Sequence, residues 1–388
     1  LVALAALAAT SAFAQSSVSL YGLLDMSTTN ISYDVDGVTK IKRNGFSSSA
    51  DNSSRWGLTG KEDLGGGMAA EFKIEQGIGT NPRSGLAKDF SNQNGTYSGN
   101  AYTLDATVLG DRELWAAISF KTGTRVQAGY GVTALRNLAV QTDAAGSNLS
   151  GNPVAHNLGT YRREGLTVVQ AFGPVTATVG VSGNKQELNA QGTGTTVTSD
   201  NIKVGKGSNF ALTYNQGPIN AGVAYDVVDT SNPEFAGNSA TVNYATGWLL
   251  PKVSAADTRT KTTLVAGSYD AGVAKFFLQN YTADVTNNTT ATAAGAGKIG
   301  GTSVGVTAPF GAVTAFAQSF TGKNKQYATA GTAEDRKYTG YSVGARYNLS
   351  KRTYAYAATG QFKVEKGIGV DATEQVTKQT SVGVAHAF

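Results

Sequence analysis

The sequence predicts an all-β protein, a sixteen-stranded antiparallel transmembrane β-barrel, on three observations. Apolar residues alternate with small or polar ones in segment after segment, the connections between segments alternate between short and long, and the composition favours strands and turns over helices. Glycine occurs 48 times against 7 prolines, with 17 tyrosines and 15 phenylalanines, which suits many strands joined by Gly-, Asn- and Thr-rich connections. Cysteine is absent from the 388 residues, so closure must come from hydrogen bonding and packing, and thiol catalysis and zinc–thiolate sites are excluded.

The chain starts with LVALAALAATSAFAQ, an apolar run ending in Ala12-Phe13-Ala14, the small-x-small pattern read by signal peptidase. Residues 1–14 are therefore expected to be a signal-peptide remnant, with the barrel occupying 15–388 and the mature chain beginning at Gln15. A spanning helix needs about 20 apolar residues, and no later segment approaches that length. Lipid does not tolerate unpaired backbone amides, so a chain of this kind crosses a membrane only as a closed barrel.

The second strand shows the alternation plainly: Trp56 and Leu58 share one face, Arg55, Gly57 and Thr59 the other. After the Asp63–Gly67 turn, Met68, Ala70, Phe72 and Ile74 alternate with Ala69, Glu71, Lys73 and Glu75, so an outward apolar face places three charges in water. Tyr341, Val343, Ala345 and Tyr347 face lipid on the same reading, leaving Ser342, Gly344, Arg346 and Asn348 towards the lumen; Asp25 on the first strand is lumenal by the same parity. The sixteen expected strands are 16–33, 52–63, 67–79, 112–120, 124–131, 159–170, 174–183, 206–215, 218–228, 260–270, 272–283, 300–308, 311–320, 338–348, 353–364 and 378–388.

Tight turns are expected at Lys121 to Thr124, Phe172-Gly173-Pro174, Gln216-Gly217-Pro218, Asp270-Ala271-Gly272, Pro309-Phe310-Gly311 and Ser350-Lys351-Arg352. Between them lie long polar stretches at 80–111, 184–205, 229–259 and 284–299. Short turns on one side and long loops on the other are what an up-and-down membrane barrel requires, periplasmic turns short and extracellular loops long.

Four stretches resemble the Gram-negative general porin family, in particular its betaproteobacterial branch: SSVSLYGLLDMS, SSRWGLTGKEDLGGGMAAEFKIEQG, NLSKRTYAYAATG and the terminal SVGVAHAF. They are spread from the first strand to the last, while about 190–300 carries no recognisable motif. The resemblance implies an outer-membrane homotrimer, a third loop at about 131–158 that folds inward and narrows the pore, and Phe388 as the signal read by the barrel-insertion machinery. It implies outer-membrane lipid and lipopolysaccharide as surroundings, small hydrophilic solutes and anions as what passes, and no cofactor.

Carried over residue by residue, the resemblance implies pore-constriction roles for Arg55, Arg112, one of Arg162 and Arg163, and Glu75 on the opposite wall. Parity favours Arg163 facing water, because Leu166 and Val168 share the other face; the choice between the two stays open. Arg112 falls in phase with Leu114 and Ile118, so a lumenal Arg112 needs a bulge or a strand that begins later. Asp25, Lys73, Arg136 and Arg346 are further lumen-facing candidates. Two positions depart from the family pattern: Ala385, and Gly129-Tyr130, where relatives tend to have Gly-Arg. The second departure removes a basic pore group.

The expected function is therefore a general diffusion channel with a weak preference for anions, and the alternative is a substrate-specific channel for sugars or phosphate. A barrel enzyme needs a nucleophile with a nearby base, and neither His156 in the third loop nor His386 on the last strand has a plausible setting for one. Neither histidine suggests a metal site. The net charge of +5 comes from scattered Lys and Arg, not from a nucleic-acid-binding face.

Overall fold

The structure is a computed structural model describing residues 17–79, 110, 112–146, 162–183, 206–230, 258–287, 297–327, 333–366 and 373–388. Its strands are β1 (Ser17–Val35), β2 (Val38–Ser48), β3 (Arg55–Gly65), β4 (Met68–Gly77), β5 (Glu113–Ser119), β6 (Thr124–Val132), β7 (Arg162–Phe172), β8 (Val175–Ser182) and β9 (Gly207–Gln216). The second half continues with β10 (Ile219–Thr230), β11 (Thr258–Asp270), β12 (Lys275–Asn287), β13 (Gly297–Phe310), β14 (Val313–Tyr327), β15 (Ala333–Asn348), β16 (Thr353–Val364) and β17 (Gln375–Ala387). Among the described residues one helix, α1 (Ala134–Gln141), follows β6. From β3 to β17 each strand pairs antiparallel with the next, and β17 pairs back onto β1, so the sheet closes. Among the described residues no helix is long and apolar enough to cross a membrane, which says nothing of a β-barrel, since a closed barrel crosses with strands.

On its other edge β1 pairs β3 through Ser17–Leu23 and β2 through Met26–Val35. β2 and β3 are thus two halves of a single wall strand, parted by an inward segment at residues 49–54, and the barrel wall has sixteen strands. The expected second strand began at 52 and omitted Val38–Ser48. Asp36 and Gly37, both at positive φ (49° and 77°), form a two-residue hairpin turn, the Asp-Gly signal that sends the chain straight back. The returning half reads as a loop because Lys42 and Asn44 occupy its outward face, where a strand rising past the lipid has no need of apolar residues. β13 to β15 also extend further towards the loop side than the alternation indicated.

The turns fall where the sequence places them, with Gly173 and Gly217 at φ 61° and 58°, a left-handed conformation that glycine adopts without a Cβ clash. At the turn end an outward ring of Phe120, Phe172, Tyr269, Phe276, Phe310, Tyr347 and Phe388 forms an aromatic girdle. Across β1, β3 and β4 the corresponding outward positions hold the aliphatic Val18, Leu20, Leu64 and Met68 instead. Residues 1–14, Gln15 and His156 lie outside the described residues, as does most of each long polar stretch. His386 faces outward at the turn end, its Nδ1 2.8 Å from Thr353 Oγ1.

Phe388 closes the seam. Its N–H donates to the Gly22 carbonyl and its carbonyl accepts from the Gly22 N–H, both at 3.0 Å. The Phe388 ring lies over Gly22 so closely that a Cβ there would stand 2.2 Å from Cζ. Gly22→Val is therefore expected to lower barrel stability by about 1–3 kcal/mol through overpacking. Urea unfolding of detergent-refolded protein measures this without any insertion machinery, and an unchanged midpoint would show that the ring moves aside freely.

Candidate functional site

The third loop begins where β6 ends. Thr133, extended at φ −69° and ψ 154°, caps α1 by accepting from the Arg136 N–H at 3.3 Å. Leu135 and Leu138, each 1% exposed, together with Ala134 and Ala139, pack on the inner wall against Ala211 of β9, Ala224 of β10 and Leu264 and Ala266 of β11. Three of these four wall residues are alanines, and Gly222 leaves room for Leu138, whose Cδ1 would lie 3.1 Å from a Cβ there. Sequence positions that look merely permissive thus form a docking groove inside the barrel.

Polar tethers continue the crossing. The Ala134 N–H donates to Asn209 Oδ1 at 3.1 Å; Gln279 Nε2 donates to the Ala139 carbonyl at 2.6 Å and to Thr142 Oγ1 at 2.9 Å; the Ala145 N–H donates to Gln318 Oε1 at 2.9 Å. Residues 133–146 therefore run across the lumen from β6 to β14, while 147–158 of the expected loop lie outside the described residues.

On the wall near the start of this loop, basic groups gather around Glu75 of β4, whose side chain is 5% exposed. Arg112 Nε stands 2.6 Å from Glu75 Oε1, Lys73 Nζ 3.4 Å and Arg55 Nε 3.6 Å from Oε2, and Tyr21 donates its hydroxyl to Oε2 at 2.8 Å. Lys73 also pairs with Glu113 of β5 at 2.6 Å, and Glu113 accepts from Trp115 Nε1 at 2.8 Å. Arg112 reaches this group because β5 starts one residue later, at Glu113, which frees Arg112 from the strand's alternation. Arg162, the first residue of β7, lies within electrostatic range of Arg112, Glu113, Glu75 and Tyr130, and its Nε has no hydrogen-bond partner among the described residues. Among the described residues three cations contact two carboxylates and Arg162 is a fourth within electrostatic range, a net charge of +2.

The other candidates are placed elsewhere. Arg163 faces the lumen but is laid against the wall in an ion pair with Asp226 of β10, side chains 5% and 4% exposed. Gly207 clears its path, since a Cβ there would meet Arg163 Nη1 at 2.6 Å. Asp25 faces inward, fully buried under the segment 49–54, and Arg346 is paired with Asp51 of that segment. Arg136 rides on α1. Sequence reasoning passed over Glu113, Tyr21, Asp51 and Asp226. Glu113 shares the lumenal face with Trp115, and Asp226 shares it with Gly222 and Ala224, so parity was the available signal for both.

A closed antiparallel barrel with a lipid-facing girdle, a charged lumen and a loop helix docked inside it is a channel of the outer-membrane diffusion type. The Gram-negative porin family matches residues 1–367, and the chain belongs to that family. An outer membrane porin of Bordetella pertussis is 27% identical over 97% of this chain and 95% of its own length. Outer membrane porin protein 32 of Delftia acidovorans is 47% identical over a 76-residue stretch, 19% of this chain and 21% of that protein. Among solved structures, an anion-selective porin from Comamonas acidovorans is 21% identical, covers 96% of this chain and 100% of its own, and superposes with a TM-score of 0.66. The trimer form of OmpT, an outer membrane protein of Vibrio cholerae, is 14% identical over 95% of this chain and 99% of its own, with a TM-score of 0.60.

Proposed function

We propose that this outer-membrane porin is a weakly anion-preferring general diffusion channel whose constriction lies between the third loop and the cationic group of Arg55, Lys73, Arg112 and Arg162. The observation that carries the reading is the net positive cluster around Glu75. A unit charge about 4 Å from an ion is worth roughly 1 kcal/mol in bulk water and more beside a low-dielectric wall. A net +2 there supports a preference on the order of 1 kcal/mol, a several-fold selectivity and not an exclusion. Tyr130, within electrostatic range of Arg162, stands where the family resemblance implies a base, and a neutral phenol there leaves the field weaker. The anion selectivity of the Comamonas porin agrees with this direction.

Small hydrophilic solutes and anions are the cargo this lumen suits. A sugar-type aromatic track is disfavoured: Tyr281, Phe320, Tyr338 and Phe362 stack in a row at 5.8–6.2 Å, but they are 1–7% exposed and serve as wall packing. The wild-type reversal potential across a potassium chloride gradient tests the proposal, and a channel that prefers potassium would overturn it.

The functional unit is a homotrimer on this reading. The aliphatic arc of Val18, Leu20, Leu64 and Met68 interrupts the aromatic girdle and suits a protein neighbour better than a lipid interface. Unheated electrophoresis with light scattering in mild detergent is expected to show a trimer, and Leu20→Arg with Met68→Arg to shift it towards monomer. A monomeric wild type would count against the arc as an interface. Residues 1–14 fit a cleaved export signal and Phe388 a signal for the insertion machinery, with lipopolysaccharide among the surrounding lipids.

A further inference from the structure

We propose that Arg346 and Asp51 are a positioning pair, a clasp that joins the third loop to the inward segment 49–54 and thereby sets the narrowest opening of the pore. The inference rests on the reading that Arg55 belongs to the constriction, because the segment leads directly into Arg55, the first residue of β3. Arg346 Nε donates to Asp51 Oδ2 at 2.8 Å and Nη2 to Oδ1 at 2.7 Å, a bidentate fork. The same Nη2 donates to the Ala145 carbonyl of the third loop, and the guanidinium lies 4.6 Å from the centre of the Phe316 ring. Asp51 is fully buried, and its Oδ2 accepts a second bond from the Tyr354 hydroxyl at 2.8 Å. Asp143 of the third loop also faces Arg346 electrostatically.

The segment itself is diverted from the wall at Ser49, a non-glycine residue at φ 73°. Such a conformation persists where its surroundings over-determine it. Here the Asp25 carboxylate accepts from the backbone N–H of Asp51 and of Asn52, each at 2.7 Å, and from the Tyr356 hydroxyl at 2.6 Å, while Ser49 Oγ accepts from the Ser54 N–H at 2.7 Å. At its far end the Ser53 carbonyl accepts from Arg55 Nη1 at 2.7 Å, and Arg55 turns its Nε to Glu75. One continuous set of contacts therefore runs from the third loop through Arg346 and Asp51 to the guanidinium of Arg55. An arginine held in this way is not a mobile pore cation; it holds two pore-narrowing elements at a fixed separation.

Arg346→Lys separates the roles, because lysine keeps the charge and loses the fork. The two readouts are single-channel conductance at 1 M potassium chloride, where the screening length is about 3 Å and width dominates, and reversal potential near 0.1 M. Arg346→Lys is expected to raise conductance roughly 1.5-fold and to lower anion preference, Asp51→Asn to do the same, and the double variant to exceed neither single one. Lysine matching the wild type in both readouts, with Arg346→Gln lowering anion preference alone, would overturn the clasp and make Arg346 a plain pore charge. Folding is checked by the heat-dependent electrophoretic mobility of the closed barrel. Should Arg346→Lys fail to fold, Tyr354→Phe, which removes one bond to Asp51, must show a smaller conductance rise, and an unchanged conductance sinks the proposal. A wild type that prefers potassium would refute the anion reading while leaving the conductance comparison valid.

Discussion

Leu138→Asp is expected to release the third-loop helix from the inner wall and roughly double single-channel conductance, because the loop obstructs the lumen only while it is docked. Leu138 is 1% exposed among Leu135, Ala211, Ala224 and Leu264, with Gly222 beneath it. An eight-residue helix has little stability of its own, and α1 carries no acidic residue in its first turn and no basic one in its last. Its place therefore depends on docking, in which each leucine contributes about 1.5–3 kcal/mol of burial. An uncompensated carboxylate in the same site costs several kcal/mol, more than the lost leucine contributed. The tethers from Asn209, Gln279 and Gln318 are too few to offset that. The wall strands do not depend on α1 for their ladder hydrogen bonds, so the barrel should retain its heat-modifiable mobility. Conductance unchanged in folded Leu138→Asp would show that the loop does not limit the pore. Leu138→Ala, with a cavity cost of about 2–5 kcal/mol, is expected to give an intermediate and noisier channel.

Replacing Arg55 and Arg112 together by serine is expected to abolish the preference for anions. The cluster then holds Lys73 and Arg162 against Glu75 and Glu113, and its net charge falls from +2 to zero. Each single variant should move the reversal potential part of the way. Arg112 should have the larger effect on geometry, since it makes the closest contact to Glu75, 2.6 Å against 3.6 Å for Arg55. Glu75 keeps Lys73 and the Tyr21 hydroxyl in the double variant, so no bare buried carboxylate remains to threaten folding. Glu75→Gln should act in the opposite direction and strengthen anion preference. All these shifts shrink with salt, as the screening length falls from about 10 Å at 0.1 M to about 3 Å at 1 M. A double variant with the wild-type reversal potential would place the selectivity elsewhere in the lumen.

Much of this was legible in the sequence, and for a local reason. Side chains in a strand alternate with a period of two, so the face of Lys73, Glu75, Arg163 or Arg346 follows from its neighbours alone. Turn chemistry is equally local, which is why the glycine turns fall where they were expected. The Asp36-Gly37 hairpin was equally readable, but its signal was masked by a following half-strand whose outward face is polar.

What parity cannot supply is the partner across the lumen. Arg163 meets Asp226 over two intervening strands, and Arg346 meets Asp51 from the far end of the chain, so two arginines of the same lumenal parity as Arg55 are neutralised at the wall. Asp25 is likewise lumenal by alternation yet sealed under a segment that leaves its strand. Conversely, Arg112 precedes the first residue of β5, where alternation no longer constrains the side chain, and Arg162, in phase with Leu166 at the start of β7, still lies within electrostatic range of Glu75. The sequence by itself determined the barrel, its two faces and its turns, because those depend on nearest neighbours along the chain. Which charges stay in the open pore was decided only by the tertiary structure, because closure and register bring distant strands together and pairing removes a charge from water.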